Sequence, residues 1–122
     1  IDGTIDMVTS NHEPLNIELK HLEFDHASTG SIGLEAMFGV LSTLFPTDKV
    51  ISILTKGMDL FGVNSPTIEV GQPANLSLFN PTGSGVFQNK DILSSSKNCA
   101  FVNAPTQGTV YGVINNSLTT LK

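Results

Sequence analysis

The run Ile5-Asp6-Met7-Val8-Thr9-Ser10-Asn11-His12-Glu13-Pro14 decides how the rest of this chain is read. Thr4 to Val8 is β-prone and mostly apolar, which predicts a buried strand. The run then gives way to Asn11, His12 and Glu13, and Pro14 has no amide to continue a ladder. A strand whose C-terminal end delivers several polar side chains to one point is how α/β barrels and open α/β sheets build sites. The plainer reading of these ten residues alone is a strand followed by a polar loop.

Downstream, Leu15 to Gly30 has little periodicity and is polar through Glu18, Lys20, His21, Glu23, Asp25 and His26. Loops of this length in compact domains are usually functional or mobile. Ile32 to Phe45 carries Leu34, Met37, Phe38, Leu41, Leu44 and Phe45 at the spacing of a helix face. Ser31 can cap that helix and Pro46 ends it, while Gly39 inside it costs up to about 1 kcal/mol relative to Ala. A second helix is predicted from an N-cap at Thr47, with Asp48 in its first turn and Val50, Ile51, Ile53 and Leu54 on its buried face. Gly57 ends or kinks it before Met58 to Phe61, and Gly62 is its final stop.

From Asn64 onward Pro, Gly, Asn and Ser punctuate short β-like runs at Thr67 to Val70, Leu76 to Phe79, Val86 to Gln88, Ala100 to Val102 and Thr109 to Ile114. The Asn115-Asn116 pair and Ser117 to Leu121 complete a hairpin with a type I′-compatible turn. The chain therefore divides near residue 63 into a strand-loop-helix part, 1–63, and an all-β part, 64–122. Five short strands and a hairpin with few large apolar residues make a poor core alone. Strands from a longer chain or from another copy would close it.

Composition narrows the function classes. With 122 residues, 39% hydrophobic and 14% charged, the chain has a globular composition and is one domain in size, or a piece of a larger one. Its net charge of −5 and lack of any basic run argue against nucleic acid and anionic membrane surfaces as partners. No apolar run approaches the roughly 20 residues of a bilayer span. The single Cys99 cannot form an internal disulfide, which fits a reducing, cytoplasmic setting in which the sequons at Asn75 and Asn115 are incidental. The start at Ile1, with Asp2 and Asp6 close behind, lacks a signal-peptide pattern and points to trimming.

Several chemical signals are weaker than they look. His12, His21 and His26, with Glu13, Glu23 and Asp25, fit no standard structural zinc spacing, so solvated loop residues are the simpler reading. Cys99 has no neighbouring His in sequence and reads as a small buried hydrophobe. Gly83-Ser84-Gly85 is followed by Val86-Phe87 where a phosphate loop needs Lys and then Ser or Thr, so it reads as a turn between two strands.

Read as one series, the motifs resemble the C-terminal end of a dihydroorotase. The family pattern G-T-I-D-x-I-A-T-D-H-A-P-H is matched without a gap by Gly3-Thr4-Ile5-Asp6-Met7-Val8-Thr9-Ser10-Asn11-His12-Glu13-Pro14-Leu15. Its E-x-K resembles Glu18-Leu19-Lys20, and its F-x-x-A-P-F-G-I-V-G-L-E-T resembles Phe24 to Ala36. Its G-x-x-A-D-L-x-L-F-D-P resembles Gly71-Gln72-Pro73-Ala74-Asn75-Leu76-Ser77-Leu78-Phe79-Asn80-Pro81, its S-K-S-x-N-T-P-F resembles Ser94 to Phe101, and its G-x-V-x-x-T-I resembles Gly108 to Ile114. Each motif alone is weak, but together in order they cover nearly all of the chain.

The resemblance implies an α/β plus β fold. Residues 1–63 would be the last strand, loop and helices of a metal-dependent (β/α)8 barrel, and 64–122 the C-terminal strands of a small β-sandwich. It implies ring closure of carbamoyl aspartate to dihydroorotate in pyrimidine synthesis, with zinc activating water and a strand-eight Asp relaying its proton. It implies further that most zinc ligands belong to earlier strands, so residues 1–122 would hold no metal and no activity of their own.

The departures bear on the chemistry. The family's Asp falls on Asn11, whose amide accepts no proton near neutral pH and is a poor zinc ligand. The second His of the motif falls on Leu15, which cannot hydrogen-bond a substrate carboxylate. The substrate loop P-F-G reads Ser28-Thr29-Gly30. His12 keeps its position, either lining the barrel mouth or bonding a backbone carbonyl at the strand end. By resemblance His12, Leu15, Thr29 and Gly30 occupy substrate-binding positions. Two functions follow as expectations: a catalytically silent, structural homologue, or a working cyclic amidohydrolase whose proton shuttle comes from elsewhere. The implied partners are the rest of such a chain, a second copy, or aspartate carbamoyltransferase.

Overall fold

The structure is a computed structural model that describes residues 3–121; Ile1 and Asp2 of the predicted trimmed start lie outside them. It contains α1 (Ile17–Lys20), α2 (Met37–Leu44) and α3 (Thr47–Leu60), then β1 (Asn75–Val86), a 3₁₀ turn (Asn89–Asp91), β2 (Pro105–Asn115) and β3 (Leu118–Leu121). The strands form one antiparallel sheet in the order β1-β2-β3.

The second helix follows its sequence signals closely at one end. α3 runs through Gly57 without the expected end or kink, and the Met7 side chain approaches it there: a Cβ would lie 3.1 Å from the Met7 methyl. It ends at Gly62, whose φ of +67° suits glycine. Gly62 N–H donates to Asp59 O at 3.3 Å and Val63 N–H to Met58 O at 2.8 Å, the paired bonds of a Schellman cap. The other end differs from expectation. Thr47 is the first helical residue, Pro46 is the N-cap, and no side chain caps the helix.

The first helix is shorter than its apolar spacing predicts. Ile32 is drawn out of it into a parallel bridge with Cys99, and helix begins only at Met37. α2 lies on the sheet. A Cβ on Gly39 would meet the Thr106 side chain at 3.0 Å, and the Phe38 and Phe79 rings meet edge to face at 5.0 Å. Such an aromatic pair contributes about 0.5–1.5 kcal/mol beyond its buried area.

The opening strand predicted at Thr4 to Val8 does not form. Residues 5–11 carry no ladder, and Val8 N–H instead donates to Ile53 O in α3 at 3.0 Å. A parallel-type strand needs neighbours to satisfy its amides, and the described residues supply none at that position. The short β-runs regroup in the same way. Leu76 to Phe79 and Val86 merge into the single long β1, while Thr67 to Val70 is not a strand and leaves Ile68 86% exposed. Gly83-Ser84-Gly85, read as a turn between strands, lies within β1 at a register shift between Asn80 and Ser84. There the Asn80 Oδ1 accepts from Thr82 N–H at 2.9 Å, a local turn that lets the extra residues bulge out. Ala100 to Val102 is a turn as well. The β2–β3 hairpin forms, but its two loop residues are Asn116 and Ser117, because Asn115 still pairs with Leu118. Only Asn116 has positive φ, at +53°, so this is not the type I′ turn, which needs two.

The core joins both halves of the chain. Ile32, Ala36, Phe87 and Ile92 are buried together, with Val40, Cys99, Phe101 and Val102 packed around them. Val50 and Ile53 are buried on α3. Among the described residues no helix is long and apolar enough to cross a membrane.

Candidate functional site

The polar end of the opening run is built into three adjoining stretches of extended backbone. His12 forms a parallel bridge with Ser31, and Ile32 forms one with Cys99. Glu13 N–H donates to Ser31 O at 3.1 Å, and Ile32 N–H donates to Asn98 O at 3.1 Å. Residues 12–15, 29–32 and 96–99 thus lie side by side although far apart in sequence.

Asn11 leads into this meeting point with φ of +41° and is exposed. A left-handed backbone is tolerated best by Asn, Asp and Gly, so the short polar side chain at this position has a conformational reason besides any chemical one. His12 is half-buried. Its Nδ1 accepts from Leu34 N–H at 3.2 Å and more weakly from Gly33 N–H at 3.4 Å. The bond to a backbone carbonyl expected for a strand-end histidine is therefore replaced by bonds from two backbone amides ahead of α2. An Nδ1 that accepts puts the proton of the neutral ring on Nε2.

Leu15 is half-buried, and its amide is held by Ser96 Oγ at 3.2 Å and Asn98 Oδ1 at 3.3 Å. Its side chain borders an open cleft of about 600 Å³ shared with Pro14, Ile17, Ser95, Lys97 and Asn98. Thr29 is exposed. Gly30 has φ of +106°, a backbone conformation that favours glycine, and a Cβ there would also have to displace the exposed Glu13 carboxylate. Its carbonyl accepts from Lys20 Nζ at 3.0 Å, which also bonds Ser28 O at 2.6 Å. Of the five positions singled out in the sequence, His12, Leu15 and Gly30 are brought together through the backbone, with Asn11 and Thr29 flanking them.

Sequence reading missed the residues that hold this arrangement. Asn98 and Ser96 were visible only as letters of the Ser94 to Phe101 motif, and Lys20 only as the end of Glu18-Leu19-Lys20. Glu35 likewise accepts from Leu93 N–H at 3.0 Å and Ser94 N–H at 2.8 Å, fastening the loop ahead of Asn98.

The donor set does not fit zinc. Asn11 offers an amide, the Nδ1 of His12 is engaged, and among the described residues no three His, Cys, Asp or Glu side chains are grouped to hold a metal ion. His26 and Glu23 stand 3.8 Å apart with both side chains largely exposed, a surface pair of little energetic consequence. Among the described residues these side chains alone therefore make up no metal site. What the geometry provides is a pinned loop beside the Gly30 turn, with His12 and Glu13 as the ionisable side chains next to it.

No family model matches the chain. Curated proteins do. It is 30% identical over 114 residues to the dihydroorotase of Geotalea daltonii, covering 88% of this chain and 27% of that protein. It is 30% identical over 122 residues to the dihydroorotase of Acetivibrio thermocellus, covering 94% of this chain and 29% of that protein. It is 32% identical over 108 residues to the dihydroorotase of Bacillus subtilis, covering 83% and 25%. The chain is a dihydroorotase homologue that spans about a quarter of the length of the curated relatives it matches.

Proposed function

We propose that this chain is the C-terminal portion of a dihydroorotase-like protein of pyrimidine biosynthesis whose site is catalytically silent, leaving it a structural or regulatory role. The observation that carries the reading is the condition of the strand end. Hydrogen bonds tether the stretch around His12, Leu15 and Gly30, while by motif resemblance Asn11 and Leu15 fall where the family's chemistry uses an acid–base Asp and a carboxylate-binding His. Removing the acid–base group alone typically lowers a rate about 10²- to 10⁴-fold.

The surface supports the incomplete-barrel side of the proposal. The chain exposes 8730 Å², whereas a compact monomer of 13.0 kDa would expose roughly 6,300 Å². In this reading the excess is covered by the rest of a barrel-and-sandwich chain. Residues 4–8 regain strand neighbours there, and the sheet edges of β1 and β3 are paired.

The test is metal analysis of the intact protein alongside a dihydroorotate assay of wild type and Asn11→Asp. Substoichiometric zinc with no wild-type turnover supports a silent homologue. Stoichiometric zinc with wild-type turnover establishes a working cyclic amidohydrolase and refutes it.

A further inference from the structure

Asn98 stands where the three extended stretches meet, and its side chain reaches across the middle one. Nδ2 donates to Glu13 O at 3.0 Å and, at longer range, to Gly30 O at 3.4 Å. Oδ1 accepts from Leu15 N–H at 3.3 Å. Ser96 Oγ accepts from the same Leu15 amide at 3.2 Å, donates to Leu15 O at 2.6 Å and contacts Asn98 Oδ1. A carboxamide both donates two protons and accepts, which a carboxylate, a hydroxyl or an ammonium group cannot do in this geometry. The partners are 68 to 85 residues away, so these bonds join the site to the distant half of the chain.

We infer that Asn98 is a positioning residue: its carboxamide, seconded by Ser96, fixes the 11–15 stretch of the candidate site against the 29–30 stretch. This goes beyond the proposed function, because it requires neither turnover nor metal and holds for a silent or a working site. A residue that merely supports the fold loosens everything when it is removed. A strap loosens only what it ties.

Backbone amide hydrogen exchange on the intact protein separates the two. In Asn98→Ala the amides of Glu13 and Leu15 exchange about tenfold faster, while those of α3 between Val50 and Leu60 keep wild-type rates. Asn98→Asp retains the acceptor, so Leu15 keeps its protection and Glu13 alone loosens. Adding Ser96→Ala to Asn98→Ala removes the remaining protection of Leu15. Unchanged rates at Glu13 and Leu15 in Asn98→Ala, or acceleration spread evenly through α3, overturn the assignment. Should Asn98→Ala fail to fold, Asn98→Asp decides alone: selective loosening at Glu13 supports the strap, and uniform or absent loosening refutes it.

Discussion

At Asn11 the backbone sits at φ +41°, in a region that costs most side chains about 1–2 kcal/mol. Asn11→Val should therefore lower stability by about that amount, whereas Asn11→Gly should stay within about 0.5 kcal/mol of wild type in thermal unfolding. Equal losses for both would mean that the side chain, not the backbone, is what matters there. Asp shares the tolerance of Asn, so Asn11→Asp changes the chemistry of the position while leaving its conformation alone. The identities at 11, 12 and 15 were legible in the sequence because motif spacing is local. The direction of the His12 ring was not, because its partners at Gly33 and Leu34 lie more than twenty residues on, and nothing in the motif marks them.

At the scale of elements, two helical glycines make opposite predictions. A Cβ on Gly57 meets the far end of the flexible Met7 side chain, which can move aside. Gly57→Ala should then gain about 0.5–1 kcal/mol of helix stability. A Cβ on Gly39 meets the β-branched Thr106 at 3.0 Å on the sheet beneath. Gly39→Ala should forfeit that gain and destabilise, because α2 must lift from β2. Melting temperatures of the two variants against wild type test the pair, and a stabilised Gly39→Ala would mean α2 is not seated on the sheet. The end of α3 was readable from Gly62 because a cap is written in adjacent residues. The start of α2 was not, since Ile32 leaves the helical pattern for a partner at Cys99 that periodicity cannot anticipate. Thr67 to Val70 failed as a strand for the related reason that β-propensity names a candidate but not its neighbour.

For the whole molecule the governing fact is uncovered apolar surface. Phe24 is 96% exposed and Phe61 76%, Leu118 and Leu121 face solvent on β3, and that strand's outer edge is open. Unpaired edges and apolar patches of this kind promote association. The 122-residue chain expressed alone should self-associate with rising concentration in sedimentation velocity, and a strictly monomeric species would argue that its surface needs no cover. The poor closure of the β part was visible in the sequence, but the tethering of the site by Asn98 across the division near residue 63 was not.

The central claim is that the site's scaffold survives while its catalyst is gone, and dihydroorotate turnover by the intact protein tests it most directly. Wild type should fall short of the Asn11→Asp/Leu15→His double variant by at least about 10²-fold in kcat/KM. A wild type that already turns over dihydroorotate as fast as the double variant would contradict the account.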